Sequence, residues 1–191
     1  EIKNFYHRTG YYLGLLYAIN AVDFHYENII AMGEQPVLVD LEAIFHQDVI
    51  EFDGETALDK SRNFIQMSVL QIGLLPTSFF SAKNKKGVDL SGIGASEGQY
   101  YPNKVATLDK TYSDEMVIVR KEVQVPAGHN RPKLNEEYTD PYQYKGSIIK
   151  GFEEVYKLIM NNKTEFKNLI DSLFSEVHTR QIVRQTKRYS D

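Results

Sequence analysis

The chain has 191 residues, the length of one domain or of one large piece of a longer protein, and its 42% apolar and 25% charged side chains are enough to build a globular core. With 22 basic against 26 acidic residues the net charge is −4, which lacks the basic footprint of a nucleic-acid binder, and no apolar run reaches the roughly 18 to 20 residues that a membrane-spanning helix needs. There is no cysteine, which excludes disulfides, thiolate zinc sites and cysteine nucleophiles, and fits a cytoplasmic location.

Phe5, Tyr12, Leu16 and Ile19, with Leu13 and Leu15 beside them, fall near the 3.6-residue period and predict a helix over the first twenty residues. Gly10 and Gly14 lie four apart on it, which would let another element approach closely. The pattern breaks at Asp23-Phe24-His25-Tyr26-Glu27-Asn28. Two short apolar runs follow, Ile29-Ile30-Ala31-Met32 and Val37-Leu38-Val39, around the turn-forming Gly33-Glu34-Gln35-Pro36. This predicts a β-hairpin whose second strand delivers Asp40-Leu41-Glu42 at its end.

Leu58, Phe64, Ile65, Val69 and Ile72 predict one helix over residues 58–75, stopped by Pro76. Residues 81–113, rich in glycine, serine and lysine, read as a long loop or insertion with little structure. Residues 116–125 have strand character, and Pro126, Gly128 and Pro132 interrupt regular structure until Tyr144. Two apolar stripes then mark C-terminal helices, the first through Ile148, Phe152, Val155 and Ile159, the second through Phe166, Leu169, Ile170 and Leu173. Residues 178–189, with Arg180, Arg184, Lys187 and Arg188, extend the second or begin another. The expected fold is α+β and mainly helical, with a catalytic-type loop and hairpin in residues 1–80, a loop-rich stretch with short strands in 81–145, and helices in 146–191.

The segment from Asp23 to Glu42 carries the chemistry. A helix ends in a loop with an aspartate, a histidine two residues later and an asparagine three after that; a hairpin follows and ends in an acidic pair. Phosphoryl transfer needs a carboxylate to orient and deprotonate the attacking hydroxyl, and oxygen ligands to hold Mg²⁺ on the phosphates of a nucleotide such as ATP. Protein kinases carry these parts on a catalytic loop and on an acidic motif after the next hairpin. Here Asp23 is the candidate base, Asn28 and Asp40 the candidate metal ligands, and His25 a loop organiser. The order Asp-x-His-x-x-Asn is nearer the lipid-kinase loop than the His-Arg-Asp version.

Three motifs together, Tyr11-Tyr12-Leu13-Gly14-Leu15-Leu16-Tyr17, Asp23-Phe24-His25-Tyr26-Glu27-Asn28-Ile29-Ile30-Ala31 and Gly33-Glu34-Gln35-Pro36-Val37-Leu38-Val39-Asp40-Leu41-Glu42, closely resemble the dehydratase domain of class II lanthionine synthetases, the LanM type. Further matches are Gly73-Leu74-Leu75-Pro76, Ser91-Gly92-Ile93-Gly94, Gly128-His129-Asn130-x-Pro132, Gly151-Phe152 and Arg180-x-x-x-Arg184-x-Thr186-x-x-Tyr189. The resemblance implies a lipid-kinase-like fold that phosphorylates serine and threonine of a precursor peptide with Mg·ATP. Elimination of the phosphate then leaves dehydroalanine or dehydrobutyrine. It implies phosphorylation by Asp23, His25, Asn28 and Asp40, an acid at Glu42 beside the magnesium and nucleotide site, and elimination by Arg180 and Thr186. The family's nucleotide-gripping lysine lies upstream of the loop and its zinc-binding cyclase downstream. The expectation is therefore a C-lobe fragment without its N-lobe, inactive alone and cut from a longer protein, with the N-lobe, the cyclase and the precursor peptide as partners.

Other readings stay open from the residues. A non-catalytic kinase-like module would only capture a leader peptide, and another small phosphotransferase would use the same loop. A hydrolytic metal cluster of His25, Asp40, Glu42 and His46 lacks the helical spacing of a zinc protease. Ser91-Gly92-Ile93-Gly94-Ala95-Ser96 lacks both a Gly-Lys-Ser ending and a Gly-x-Ser-x-Gly elbow, and reads as a flexible loop. His129 has no evident partner in sequence.

Overall fold

Residues 1–47, 55–79, 87–101 and 103–180 are described by the computed structural model. The predicted first helix is present as α1 (Ile2–Ala18), and its period has a simple cause: Phe5, Tyr6, Thr9, Leu13 and Leu16 all point into the core. The hairpin follows as β1 (Ile29–Met32) and β2 (Gln35–Leu38), paired from Ile29 with Leu38 to Met32 with Gln35. Its turn is the pair Gly33-Glu34, shorter than the four residues read from sequence, with Gly33 at φ +59. Glu34 at this tip is tied back to α1, accepting from Asn4 Nδ2 at 2.7 Å and pairing with Arg8 at 2.8 Å.

The single helix expected over residues 58–75 is two pieces. Helix α2 (Ala57–Gln66) opens on a capping box between Thr56 and Asp59 and ends at Met67. Ser68 then caps a separate 3-10 turn, Val69–Ile72, by accepting from the Leu70 amide. Ile72 is buried whereas α2 buries none of its residues, so the apolar spacing joined two segments with different surroundings.

Three further short strand pairings and two isolated bridges, one of them His25 with Ser91, complete the β content among the described residues. Strands β3 (Ser78–Phe79) and β4 (Val88–Asp89) pair antiparallel, as do β5 (Val105–Asp109) with β6 (Val117–Lys121) and β7 (Lys133–Leu134) with β8 (Glu137–Tyr138); Tyr100 and Gln124 add a single bridge. Thus residues 87–113 hold two strands where little structure was expected, and residues 126–144 hold a small hairpin and a 3-10 turn, Pro141–Tyr144. The turn of that hairpin is Asn135-Glu136, with φ +52 and +67 at its two residues.

Helices α3 (Lys145–Asn161) and α4 (Lys163–Phe174) realise the two C-terminal stripes. Residues 181–189, including Arg184, Thr186, Lys187 and Arg188, lie outside the described residues. Helix α3 crosses α1 at backbone distance. A Cβ on Gly10 would stand 2.1 Å from the Ile148 carbonyl oxygen, and one on Gly151 would stand 2.0 Å from the His7 carbonyl oxygen. The glycine spacing on α1 therefore serves the approach it predicted. Behind the crossing, Phe5, Leu13, Phe24, Ile29, Ile72, Leu74, Ile93 and Ile148 form one continuous core. The fold is α+β, with small antiparallel sheets around this helical pair. Among the described residues no helix is long and apolar enough to cross a membrane.

Candidate active site

The loop after α1 alternates inward and outward. Phe24, Tyr26 and Ile29 are buried, while Asp23, His25, Glu27 and Asn28 reach solvent wholly or in part. The apolar residues act as anchors, so the polar ones between them are presented on one rim. Asp23 takes a left-handed backbone, φ +70, an uncommon conformation for a residue with a side chain.

Three separated segments brace this loop from behind. The Phe24 amide donates to the Ile72 carbonyl at 2.8 Å and the Tyr26 amide to the Leu90 carbonyl at 3.1 Å. Gly92 and Ile93 donate in turn to the Gly73 and Leu74 carbonyls, at 2.8 and 2.9 Å. A Cβ on Gly92 would lie 2.8 Å from the Phe24 carbonyl oxygen, so only glycine fits there. Asn130 is 2% exposed and donates its side-chain amide to the carbonyls of Gly92 at 2.8 Å and Ala95 at 3.2 Å. The Gly73-Leu74, Ser91-Gly92-Ile93-Gly94 and Gly128-His129-Asn130 motifs thus share one task. Residues 91–95 are accordingly a packed turn, with Ser91, Ile93 and Ala95 buried, and not the flexible loop expected from their glycines.

Hydrogen bonds of Asn28 bring the chain at Asp23 and the chain just before Asp40 to the hairpin base. Asn28 Nδ2 donates to the Asp23 carbonyl at 2.9 Å, and Oδ1 of the same amide is chemically an acceptor. The Val39 amide donates to the Asn28 carbonyl at 3.2 Å, setting Asp40 one residue beyond that pairing. Asp40 Oδ1 accepts from the Glu42 amide at 3.0 Å. His25 accepts the Glu27 amide on Nδ1 at 3.3 Å, caps the turn Tyr26–Asn28 and pairs with Ser91 as a single antiparallel bridge. Its Nε2 lies 3.4 Å from Asn28 Nδ2.

Arg180 comes back to this cluster from the far end of the described chain. Its backbone amide donates to the Glu42 carbonyl at 2.7 Å, and its guanidinium pairs with the Glu42 carboxylate. The Asp23 carboxyl is held above its ordinary range, first by the crowding of surrounding protein and then by the negative charges of Asp40 and Glu42, against the opposing pull of His25 and Arg180. A raised carboxyl suits a residue that must accept a proton.

Oxygen donors at Asn28 and Asp40 fit a hard cation such as Mg²⁺. Among the described residues no three His, Asp or Glu side chains converge as a metal cage, so the hydrolytic cluster of His25, Asp40, Glu42 and His46 is not assembled. His46 instead joins its backbone to Asn20, the amide donating to the Asn20 carbonyl at 2.9 Å. His129, which had no evident partner, uses its backbone: its carbonyl accepts from the Ala31 amide at 2.6 Å. The Arg180–Glu42 pairing was not read from sequence, since nothing local links two residues 138 positions apart.

Two comparisons with known proteins bear on this arrangement. The model of a domain of unknown function (DUF4135) matches residues 1–191, the whole chain. The lacticin 481/lactococcin biosynthesis protein LcnDR2 of Lactococcus lactis subsp. lactis is 30% identical over 200 residues, which cover 100% of this chain and 21% of that protein. The chain thus spans about a fifth of the length of the relative it matches. Both findings agree with the resemblance carried by the motifs, and the chain belongs to the DUF4135 family as a LanM-related domain.

Proposed function

We propose that this domain supplies the catalytic half of a kinase-like dehydratase in lantibiotic biosynthesis, one that phosphorylates serine and threonine of a precursor peptide and then eliminates the phosphate. The observation that supports this reading is that Asn28 ties the loop at Asp23 to the strand end before Asp40, whose charge acts on Asp23. Its lipid-kinase-like character rests on the order of loop, hairpin and acidic strand end, and its peptide substrate on the resemblance to the LanM type. The biosynthetic role named for the relative supports the same direction.

Asp23 would receive the proton of the attacking hydroxyl, its raised carboxyl lowering the mismatch with that weak acid. Asn28 and Asp40 would hold Mg²⁺, which when bound with ATP neutralises charge on the transferring phosphate. His25 bridges to Ser91 and caps the loop, fixing where Asp23 and Asn28 point. Arg180, held by Glu42 beside the same carboxylates, would receive the phosphate as it departs, with Thr186 as a second donor. That Glu42 grips Arg180 favours one cleft for both steps, with Glu42 setting the arginine.

The test is direct. In the full-length protein, with precursor peptide and Mg·ATP, Asp23→Ala and Asp40→Asn should each leave the peptide unmodified by mass spectrometry. Dehydrated peptide from either variant at the wild-type rate would end the kinase reading. A leader-binding module without catalysis would instead show peptide binding by titration and no change in peptide mass with the wild-type protein.

A further inference from the structure

Three basic residues meet away from the candidate active site. His129, Arg131 and Lys133 line a recess of about 300 Å³ whose other walls include Ala31 on the hairpin, Tyr138 and Glu1. Arg131 is fixed in place: Nη1 donates to the Thr139 carbonyl at 3.1 Å, and the head of the guanidinium lies 5.3 Å from the Tyr138 ring centre. Its Nε–H is buried and meets no acceptor among the described residues. Lys133 Nζ lies 4.6 Å from the centre of the same ring, which is itself held by the Tyr138 hydroxyl donating to the Gly128 carbonyl at 2.6 Å. Among the described residues neither cation forms an ion pair with a carboxylate.

Two positive charges therefore share one aromatic ring, with a buried N–H left over and only Glu1 at the wall to oppose them. Two unpaired cations over one ring repel each other, a cost that a bound anion removes. The donor set also selects the ligand. The guanidinium N–H groups not spent on Thr139, an ammonium and an imidazole N–H offer more directions than the two oxygens of a carboxylate can use, and match the three oxygens of a phosphate monoester dianion.

Position narrows the source. The recess touches the hairpin at Ala31 and Gly33, three and five residues beyond Asn28 at its base. At about 3.3 Å per residue that is roughly 10 to 17 Å, too far for the phosphate being transferred at Asp23. An extended peptide covers the gap in about four residues.

We propose that this pocket is a second anion site, which holds a phosphate monoester on the peptide while a residue about four positions away lies at Asp23. The peptide half of this proposal rests on the function proposed above; the anion half rests on the pocket alone.

Isothermal titration of the full-length protein tests it with three probes. These are a short synthetic peptide of glycine and alanine around one phosphoserine, the same peptide with serine, and inorganic phosphate. The phosphopeptide should bind at least about tenfold more tightly than its serine counterpart, and Arg131→Gln and Lys133→Gln should each remove about tenfold of that preference. Lys133 is exposed, so its variant keeps the fold and remains informative if the Arg131 variant does not. Equal affinity for the two peptides overturns the proposal. So does a preference that Lys133→Gln leaves intact, or one that Asp40→Asn abolishes, which would move the phosphate to the hairpin base. Inorganic phosphate bound in a Lys133-dependent way with no gain for the phosphopeptide overturns the peptide source. A phosphopeptide preference lost in Lys133→Gln upholds the pocket even where the wild-type protein phosphorylates nothing, an outcome that removes only the kinase reading.

Discussion

Asn130 reaches across 38 positions of sequence to donate its side-chain amide to the Gly92 carbonyl, 2.8 Å away. Gly92 in turn lies against the Phe24 carbonyl, so the residue next to Asp23 is propped by a turn that Asn130 locks. The amide spends both its N–H groups on carbonyls, the second on Ala95 at 3.2 Å. Asn130→Ala should destabilise the protein by about 1–3 kcal/mol, because two carbonyls in a buried setting lose their donor. Asn130→Asp should cost more, since a carboxylate would face those oxygens. Urea unfolding followed by far-UV circular dichroism measures both, and an unchanged midpoint would remove the prop.

Gly10 makes a second, independent demand. Its Cβ would stand 2.1 Å from the Ile148 carbonyl oxygen and 2.8 Å from the Phe152 amide nitrogen, both backbone atoms that no side-chain rotation relieves. Gly10→Ala should therefore cost about 1–3 kcal/mol or more by forcing α1 and α3 apart. Gly146→Ala on α3 meets nothing within 4 Å and should be neutral or stabilising, and the same urea unfolding measures both variants.

The hairpin tip carries a pH signature. Glu34 is held below the ordinary carboxyl value of 4.5, first by the hydrogen bond from Asn4 and then by Arg8. A depressed carboxyl lends stability that is fully present above the ordinary value and is lost as pH falls from 4.5 through the lowered folded-state value. Glu34→Gln should thus lower the melting temperature at pH 7, and the gap to wild type should close below pH 4.5. A gap that persists unchanged in acid would mean that packing, and not charge, ties the tip to α1.

Much of this architecture is legible in order along the chain. The α1 stripe, its glycines, the Asp-x-His-x-x-Asn loop and the hairpin are local patterns, and each is found where its period or turn residues put it. What the pattern misses is set by long-range packing. Residues 87–95 look like loop because of their glycines, yet Gly92 is glycine for close approach to Phe24, and Val88 and Ile93 are core. The split at Met67 and Ser68 is hidden because apolar spacing continues through it, and only the Ser68 cap marks the break. The β7–β8 turn carries one weak signal, Asn135, whose left-handed backbone asparagine tolerates better than most residues. At the site, Asn28 links Asp23 to the strand end before Asp40 because a hairpin is a short-range device, while Arg180 is brought to Glu42 by the whole chain between them.

That Arg180–Glu42 contact allows the two proposed chemical steps to be separated. Phosphorylation would call on Asp23, Asn28 and Asp40, whereas elimination requires loss of the proton α to the carbonyl and stabilisation of a departing phosphate dianion. A guanidinium is suited to the second task, since it offers parallel donors and keeps its charge at every working pH. Arg180→Ala in the full-length protein should therefore leave phosphorylation running and slow elimination by about 10² to 10³, the usual effect of removing one well-placed electrostatic contact. Phosphopeptide should accumulate, heavier than the starting peptide, where wild type gives the lighter dehydrated product. Thr186→Ala should behave alike, on the strength of the resemblance, although that residue lies outside the described part of the chain. Glu42→Gln keeps the side chain's shape but removes the charge that grips the guanidinium, and should give a weaker form of the same accumulation. Mass spectrometry over a time course separates the outcomes. If Arg180→Ala yields only unmodified peptide, the arginine serves phosphorylation, and its placement beside Asp23 and Asp40 belongs to the first step alone.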